Sequence, residues 1–250
     1  MPSFLALPPD VIDERMIVAA AIVMLSGLMR GFAGFGSAMA MSPVFAILYG
    51  PAEMIMQITL MELLVAVQLI PGAVPHVQWR FVGPMSIAAV LAMPLGAIIL
   101  FWADPEILTR VVAFIVLGFV LLLMTGWRYT GRKRMPITVG LGAISGSMMA
   151  TTGMGGPPVL VYMLSGPDQA ATNRANIIIY YALTGVFLVA IMVWNGLAEA
   201  SAIWRAVLLT PLFWATTYAG QRLFRQSSEQ LYRRVAFLFL AVIGLYGLFR

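Results

Sequence analysis

Apolar residues run along this chain in long blocks rather than in strict alternation, and glycine, proline and charge cut the blocks apart. Blocks of this kind read as membrane helices, since a straight span needs about 20 apolar residues at ~1.5 Å each. After a short, polar, net-acidic lead from Pro2 to Arg15, the pattern predicts two apolar limbs, Met16–Met29 and Ser37–Leu48, on either side of a break. Each limb is too short to cross alone. Ala52–Ile70 is long enough and is stopped by Pro71-Gly72; Phe81–Phe101 follows, with Pro84 and Pro94 expected to kink it. Asp104-Pro105-Glu106 starts a further element that runs to about Trp127, and the basic linker Arg128–Pro136 divides the chain. Beyond it, Ile137–Thr152 and Pro157–Leu164 flank a second break, Gln169–Trp194 and Ile203–Ala219 span, and Val235–Phe249 follows the basic loop Arg222–Arg234. The fold expected is all-α: one polytopic membrane domain over residues 1–250, with about eight hydrophobic elements in two repeats, 16–127 and 137–249.

The breaks are the most informative stretches. Gly153-Met154-Gly155-Gly156 interrupts an apolar run, and Pro157-Pro158 restarts it. Glycine loses most backbone entropy in a helix, whereas proline is tolerated in a first turn, where its missing N–H has no partner anyway. Unwound backbone at membrane depth must be buried in protein or line an aqueous cavity. Gly34-Phe35-Gly36-Ser37 makes the matching break in the first half. Aligning Gly34-Phe35-Gly36 with Gly153-Met154-Gly155 also pairs Gly27 with Gly146. After a three-residue gap it pairs Gly50-Pro51 with Gly166-Pro167 and Gln57 with Asn173. Two broken segments at corresponding positions of two halves are the pattern of a secondary transporter built on an internal repeat.

The paired breaks, GFGSAMAMSP in one half and GMGGPPVLVYMLSGP in the other, resemble the sulfite exporter TauE/SafE family of membrane transporters, over nearly the whole chain from about Met16 to about Leu248. The resemblance implies a multi-pass carrier of the bacterial inner membrane for a small anion, sulfite or an organosulfonate, with export as its direction.

Composition supports the membrane assignment: 61% of residues are hydrophobic and 10% charged, against roughly a quarter charged in soluble domains. No cysteine is present, so disulfides, thiolate catalysis and cysteine metal sites are excluded. The first apolar run follows Asp10, Asp13 and Glu14 rather than a basic segment, so no cleavable signal peptide is expected. The net charge of +5 resides mostly in loops: Arg128, Arg132, Lys133 and Arg134, then Arg222, Arg225, Arg233 and Arg234. Those clusters suit a cytoplasmic membrane face, and nucleic acid is not an expected partner. If both breaks are re-entrant hairpins, each half has three full spans, the halves are inverted, and both basic loops lie inside. If each broken segment spans once, the halves are parallel and the basic loops face opposite sides. The positive-inside rule favours the first arrangement. Trp102, Trp127, Trp194 and Trp204 lie at predicted element ends, as interfacial tryptophans do.

The candidate chemistry is anion binding. Half-helices beginning near Ser37 and Pro157 would aim unpaired N–H groups and partial positive charge at one midplane site. Gly34, Phe35, Gly36, Gly153, Met154, Gly155 and Gly156 would wall it, and the Ser37, Thr151 and Thr152 hydroxyls would donate to oxyanion oxygens. Arg30, ~20 Å along its segment, is too deep to reach water easily. It reads as a fork for two anion oxygens or as a cap on its own half-helix. Arg174, one turn into its helix, either joins the site or snorkels. Asn173, Asn176, Tyr180 and Thr184 share one helical face, and Gln57 and Gln68 another. Such stripes either glue helices together or line a pathway, with Gln57 and Asn173 the candidates for lining. Glu62 is an intramembrane acid, a candidate for proton coupling or for a salt bridge with Arg30. The lone histidine, His76, sits in a loop, and HExxH, GxSxG and paired intramembrane aspartates are absent, so neither an enzyme, a metal site nor a cofactor is expected. An anion channel, or a carrier of another small carboxylate or oxyanion, remains as the alternative.

Overall fold

The computed structural model describes residues 8, 11–33, 36–124, 133–155, 159–160, 162–163 and 170–224. Eight α-helices and no strand occur among them: α1 (Arg15–Ala33), α2 (Ser37–Tyr49), α3 (Pro51–Ala73), α4 (Trp79–Trp102), α5 (Pro105–Met124), α6 (Met135–Thr152), α7 (Ala170–Trp194) and α8 (Ala200–Phe224). A short 3-10 turn, Val74–His76, links α3 to α4. The linker Arg128–Arg132, the loop beyond Phe224, the closing element Val235–Phe249 and Trp127 lie outside the described residues.

Local chemistry sets most boundaries. Asp13 Oδ1 accepts the Met16 N–H at 3.1 Å where α1 begins, and Asp104 Oδ1 accepts the Glu106 N–H at 2.8 Å where α5 begins. Both contacts satisfy amides that a helix start leaves without partners. Gly50, at φ 83°, turns the chain out of α2, and Pro51 opens α3 with φ already fixed. Gly153, at φ 69°, ends α6 in the left-handed conformation, with its N–H on the Met149 carbonyl. Several boundaries differ from the sequence reading. The helix expected over Ile203–Ala219 runs from Ala200 to Phe224, so Arg222 is helical and not part of the basic loop. Helix α1 continues four residues past Met29, through Arg30 to Ala33, so Arg30 is helical. Helix α3 continues through Pro71 to Ala73, because a proline in the last turn forfeits a single bond, and the Val74 N–H still caps Ile70. Pro43, Pro84, Pro94 and Pro211 likewise sit inside helices.

Among the described residues, three helical stretches are long and apolar enough to cross a membrane by length and composition: Pro51–His76, Trp79–Trp102 and Thr172–Trp194. Along α4, Ile87, Leu91, Leu95, Ile98 and Trp102 are exposed at helical spacing, which makes a lipid-facing stripe. Trp102 and Trp194 are 87% and 91% exposed at helix ends, the place for interfacial rings.

Packing inside is close and backbone-to-backbone. In lipid the hydrophobic effect does not drive helices together, so small residues that let backbones approach decide the pairs. The most extensive pairs are α4 with α6 and α1 with α8; α3 lies between α7 and α8, and α4 also touches α7. On α6, a Cβ at Gly142 would meet the Met85 carbonyl of α4 at 2.4 Å, and one at Gly146 the Ala89 carbonyl at 2.0 Å. From the other side of that seam, Gly96 of α4 backs onto the Ser147 carbonyl. The α1–α8 seam is built the same way: Gly27 against Thr216 and the Phe213 carbonyl, Gly31 against the Thr217 carbonyl, Gly220 of α8 against the Leu28 carbonyl. Gly27 and Gly146, paired in the repeat alignment, thus do the same work in different halves. Exchanging halves turns α1–α8 into α6–α4, turns α3–α8 into α7–α4, and leaves α3–α7 unchanged. The first helix of each half packs on a helix of the other.

Candidate functional site

The end of α1, the start of α2, the middle of α3, the break after α6 and the middle of α7 enclose one cavity of about 50 Å³. A water needs ~10–15 Å³ measured this way, so several water-sized groups fit. Arg30 of α1, Gly36 to Met39 at the α2 start, Thr59, Glu62 and Leu63 of α3, Gly153 to Gly155 of the break, and Tyr181 and Gly185 of α7 are among its lining.

The α2 start faces the cavity because Gly36, at φ 93°, turns the chain there in the left-handed region that glycine favours. The Ala40 N–H closes the first turn on the Gly36 carbonyl at 3.0 Å. The amides of Ser37, Ala38 and Met39 therefore have no carbonyl partner within the helix, and all three residues line the cavity. A helix N-terminus of this kind carries about half a positive charge.

Arg30 is 4% exposed and forms an ion pair with Glu62, whose side chain is 15% exposed. The Ser37 hydroxyl donates to the other Glu62 carboxylate oxygen. One carboxylate thus bridges α1, α2 and α3. Tyr181 is near enough to feel the charges of both Glu62 and Arg30. Arg174, whose Nε is buried without a partner, feels the charge of Arg30 but does not line the cavity.

On the opposite wall, a polar chain holds the second break in shape. The Tyr180 hydroxyl, wholly buried, donates to Ser145 Oγ at 2.7 Å, and Ser145 Oγ donates to the Gly155 carbonyl. A glycine is required at 153, because its φ of 69° strains any other residue and a Cβ would press on Met54 Sδ at 3.2 Å.

Of the residues singled out from sequence, Arg30, Gly36, Ser37, Glu62, Gly153, Met154 and Gly155 come together around the cavity. Gly34, Phe35 and Gly156 lie outside the described residues. The hydroxyls of Thr151 and Thr152 turn elsewhere: Thr151 Oγ1 lies 3.0 Å from the Gly96 carbonyl of α4, and Thr152 Oγ1 donates to the Met148 carbonyl at 2.7 Å. Gln57 and Asn173 are buried but do not line the cavity. Gln57 donates to Glu53 at 3.2 Å. The polar stripe on α7 acts as glue. Asn176 accepts the Gln78 N–H at 2.7 Å and donates to its side-chain oxygen at 3.1 Å, and Thr184 bonds its own backbone.

Sequence reasoning missed Tyr181, Gly185 and Thr59. Tyr181 and Gly185 are four apart and face the cavity beside the stripe that was noticed; a small residue one turn from an aromatic was the available signal. It also missed a second buried ion pair. Arg205 of α8 reaches Glu53 of α3 at 2.7 Å and lies over the Tyr49 ring at 4.6 Å. No group of His, Cys, Asp and Glu able to hold a metal occurs among the described residues.

Compared with known proteins, the chain matches the family described as sulfite exporter TauE/SafE over residues 19–247. It is 24% identical over 183 residues, 70% of each chain, to a Cupriavidus necator protein named "Probable sulfite/organosulfonate exporter TauE". No solved structure matches it significantly.

Proposed function

The chain belongs to the sulfite exporter TauE/SafE family, a family of membrane anion transporters rather than enzymes; from that premise we propose that it exports a small sulfur oxyanion, sulfite or an organosulfonate, and binds it in the cavity between α1, α2, α3, α7 and the Gly153 break. The observation that carries this reading is the meeting of a buried guanidinium, a serine hydroxyl and three helix-start amides with no carbonyl partner within the helix at one small cavity. Those are the donors an oxyanion needs. The guanidinium supplies a planar fork for two oxygens, and the amides supply direction without mobile charge. The apolar residues around them, Met149, Met154, Leu160 and Ile58, keep the dielectric low and exclude solvent. We read the exchanged packing of the halves as an inverted repeat, with the site at its centre.

The test is binding of sulfite, thiosulfate, sulfoacetate, taurine and simple carboxylates to purified protein, wild type and Arg30 variants. Arg30→Lys keeps the charge and loses the fork, and is expected to weaken sulfite binding measurably. Arg30→Gln leaves Glu62 unneutralised in the cavity and is expected to weaken it by more than ~1.4 kcal/mol, tenfold. Full-strength sulfite binding by a folded Arg30→Gln protein overturns the site; tighter binding of a simple carboxylate than of any of the sulfur compounds overturns the substrate class.

A further inference from the structure

The two side chains best placed to hold an anion are already engaged, and by the same residue. One Glu62 oxygen takes the Arg30 guanidinium and the other takes the Ser37 hydroxyl, at the start of α2. A carboxylate presents two oxygens sharing one negative charge, which is the recognition unit of a sulfite or sulfonate edge. Glu62 therefore stands where the anion would stand. A second anion cannot join it, because two negative groups within a few ångströms cannot both stay ionised in a site that excludes water.

We propose that Glu62 is a tethered stand-in for the substrate, and that an arriving anion displaces it as the carboxylate takes up one proton, so that one proton binds with each anion. Among the described residues, the charged and titratable groups facing Glu62 are Arg30 from α1 and Tyr181 from α7, with Ser37 from α2 as a neutral donor; Arg174 acts on Arg30 from further off. The proton comes from bulk solvent while the site is open to it, adds to a Glu62 oxygen and returns to bulk solvent when the anion departs and the ion pair re-forms. For a monoanion the site carries the same net charge empty and loaded. The carrier then moves its cargo without a charge difference between its outward and return journeys.

This rests on the anion site proposed above, and the experiment separates the two. Sulfite binding to the purified full-length protein is followed by calorimetry in two buffers of different ionisation enthalpy, which counts protons taken up per anion bound. Wild type is compared with Glu62→Gln, so that the proton traffic of sulfite itself cancels. Wild type is expected to take up close to one proton more than E62Q, and E62Q to bind sulfite at least tenfold more tightly at alkaline pH, where the wild-type carboxylate competes best. Equal proton counts, or weaker binding by a folded E62Q, overturn the stand-in while leaving the anion site in place. Loss of sulfite binding in the wild type itself removes both. If E62Q does not fold, Glu62→Asp decides: withdrawn by one methylene from Arg30, it is expected to bind sulfite more tightly than wild type and still take up a proton, and weaker binding overturns the proposal.

Discussion

Gly146→Ala tests the packing that holds the second break in place. An added Cβ there falls 2.0 Å from the Ala89 carbonyl oxygen and 2.5 Å from the Ala89 Cα. Carbon and oxygen approach to about 3.3 Å at closest, even in favourable Cα–H···O contacts. Those atoms are α4 backbone, so no side chain can swing away, and α4 and α6 must part by roughly 1 Å. Overpacking of this kind costs about 1–3 kcal/mol. The upper end applies, because Gly142 and Gly96 share the seam and lose their contacts with it. Alanine recovers ~1 kcal/mol of helix propensity, leaving a net loss of about 2 kcal/mol. For a protein of this size that is a fall in melting temperature of about 4–8 °C. Gly140→Ala is the internal control: it lies on the same helix with nothing within 4 Å of the new methyl, so only the propensity gain acts and the midpoint should rise by a few degrees. Both are read by thermal unfolding of the detergent-solubilised protein at one fixed scan rate. A Gly146→Ala midpoint at or above wild type refutes the backbone-to-backbone seam.

Tyr180→Phe removes the donor to Ser145 and is expected to cost about 0.5–1.5 kcal/mol; sulfite affinity should fall several-fold as the Gly155 wall loosens, and unchanged affinity would show that the break is held without it. Arg205→Gln strands the Glu53 carboxylate, which is 21% exposed and so partly hydrated. The loss should be about 1–3 kcal/mol, below the full cost of breaking a buried pair. The double variant Glu53→Gln/Arg205→Gln should recover part of it, and strict additivity in that cycle would show that the two charges do not interact. Cysteines placed at Gly131 and Ser228, in a chain with none of its own, should be labelled alike by an impermeant reagent in whole cells. Labelling of one alone rules out inverted halves.

Much of the fold was legible because membrane helices announce themselves by length of apolar run, and their ends by residues with local chemistry. Asp104-Pro105, Gly50-Pro51 and Gly153 act within a turn of themselves, so their effect needs no knowledge of the partner helix. The overrun at Pro71 was not legible for the same reason in reverse: whether a last-turn proline ends a helix depends on what still caps it. Partner choice was harder. Gly27 with Gly31, and Gly142 with Gly146, are spaced by four and do mark the two seams, but the spacing says only that some backbone comes close, not which. At the site, Arg30, Ser37 and Glu62 were each visible as unusual residues at depth. Thr151 and Thr152 were equally visible and turn to carbonyls, because a helix offers the hydroxyl a partner one turn back, at Ser147 and Met148.

The order in which the ribosome delivers the two ion pairs sets them apart. Arg30 and Glu62 lie on α1 and α3, 32 residues apart, so this buried cation is made with its counter-charge close behind. Glu53 must wait for Arg205, 152 residues downstream, and at ~5–20 residues per second that is roughly 8–30 s. For that interval the newborn first half carries an unmatched acid and an open glycine groove on α1, both answered only when α8 arrives. A chain arrested before α8 should therefore be a substrate for quality-control proteases, whereas one arrested after it should already hold both of these ion pairs.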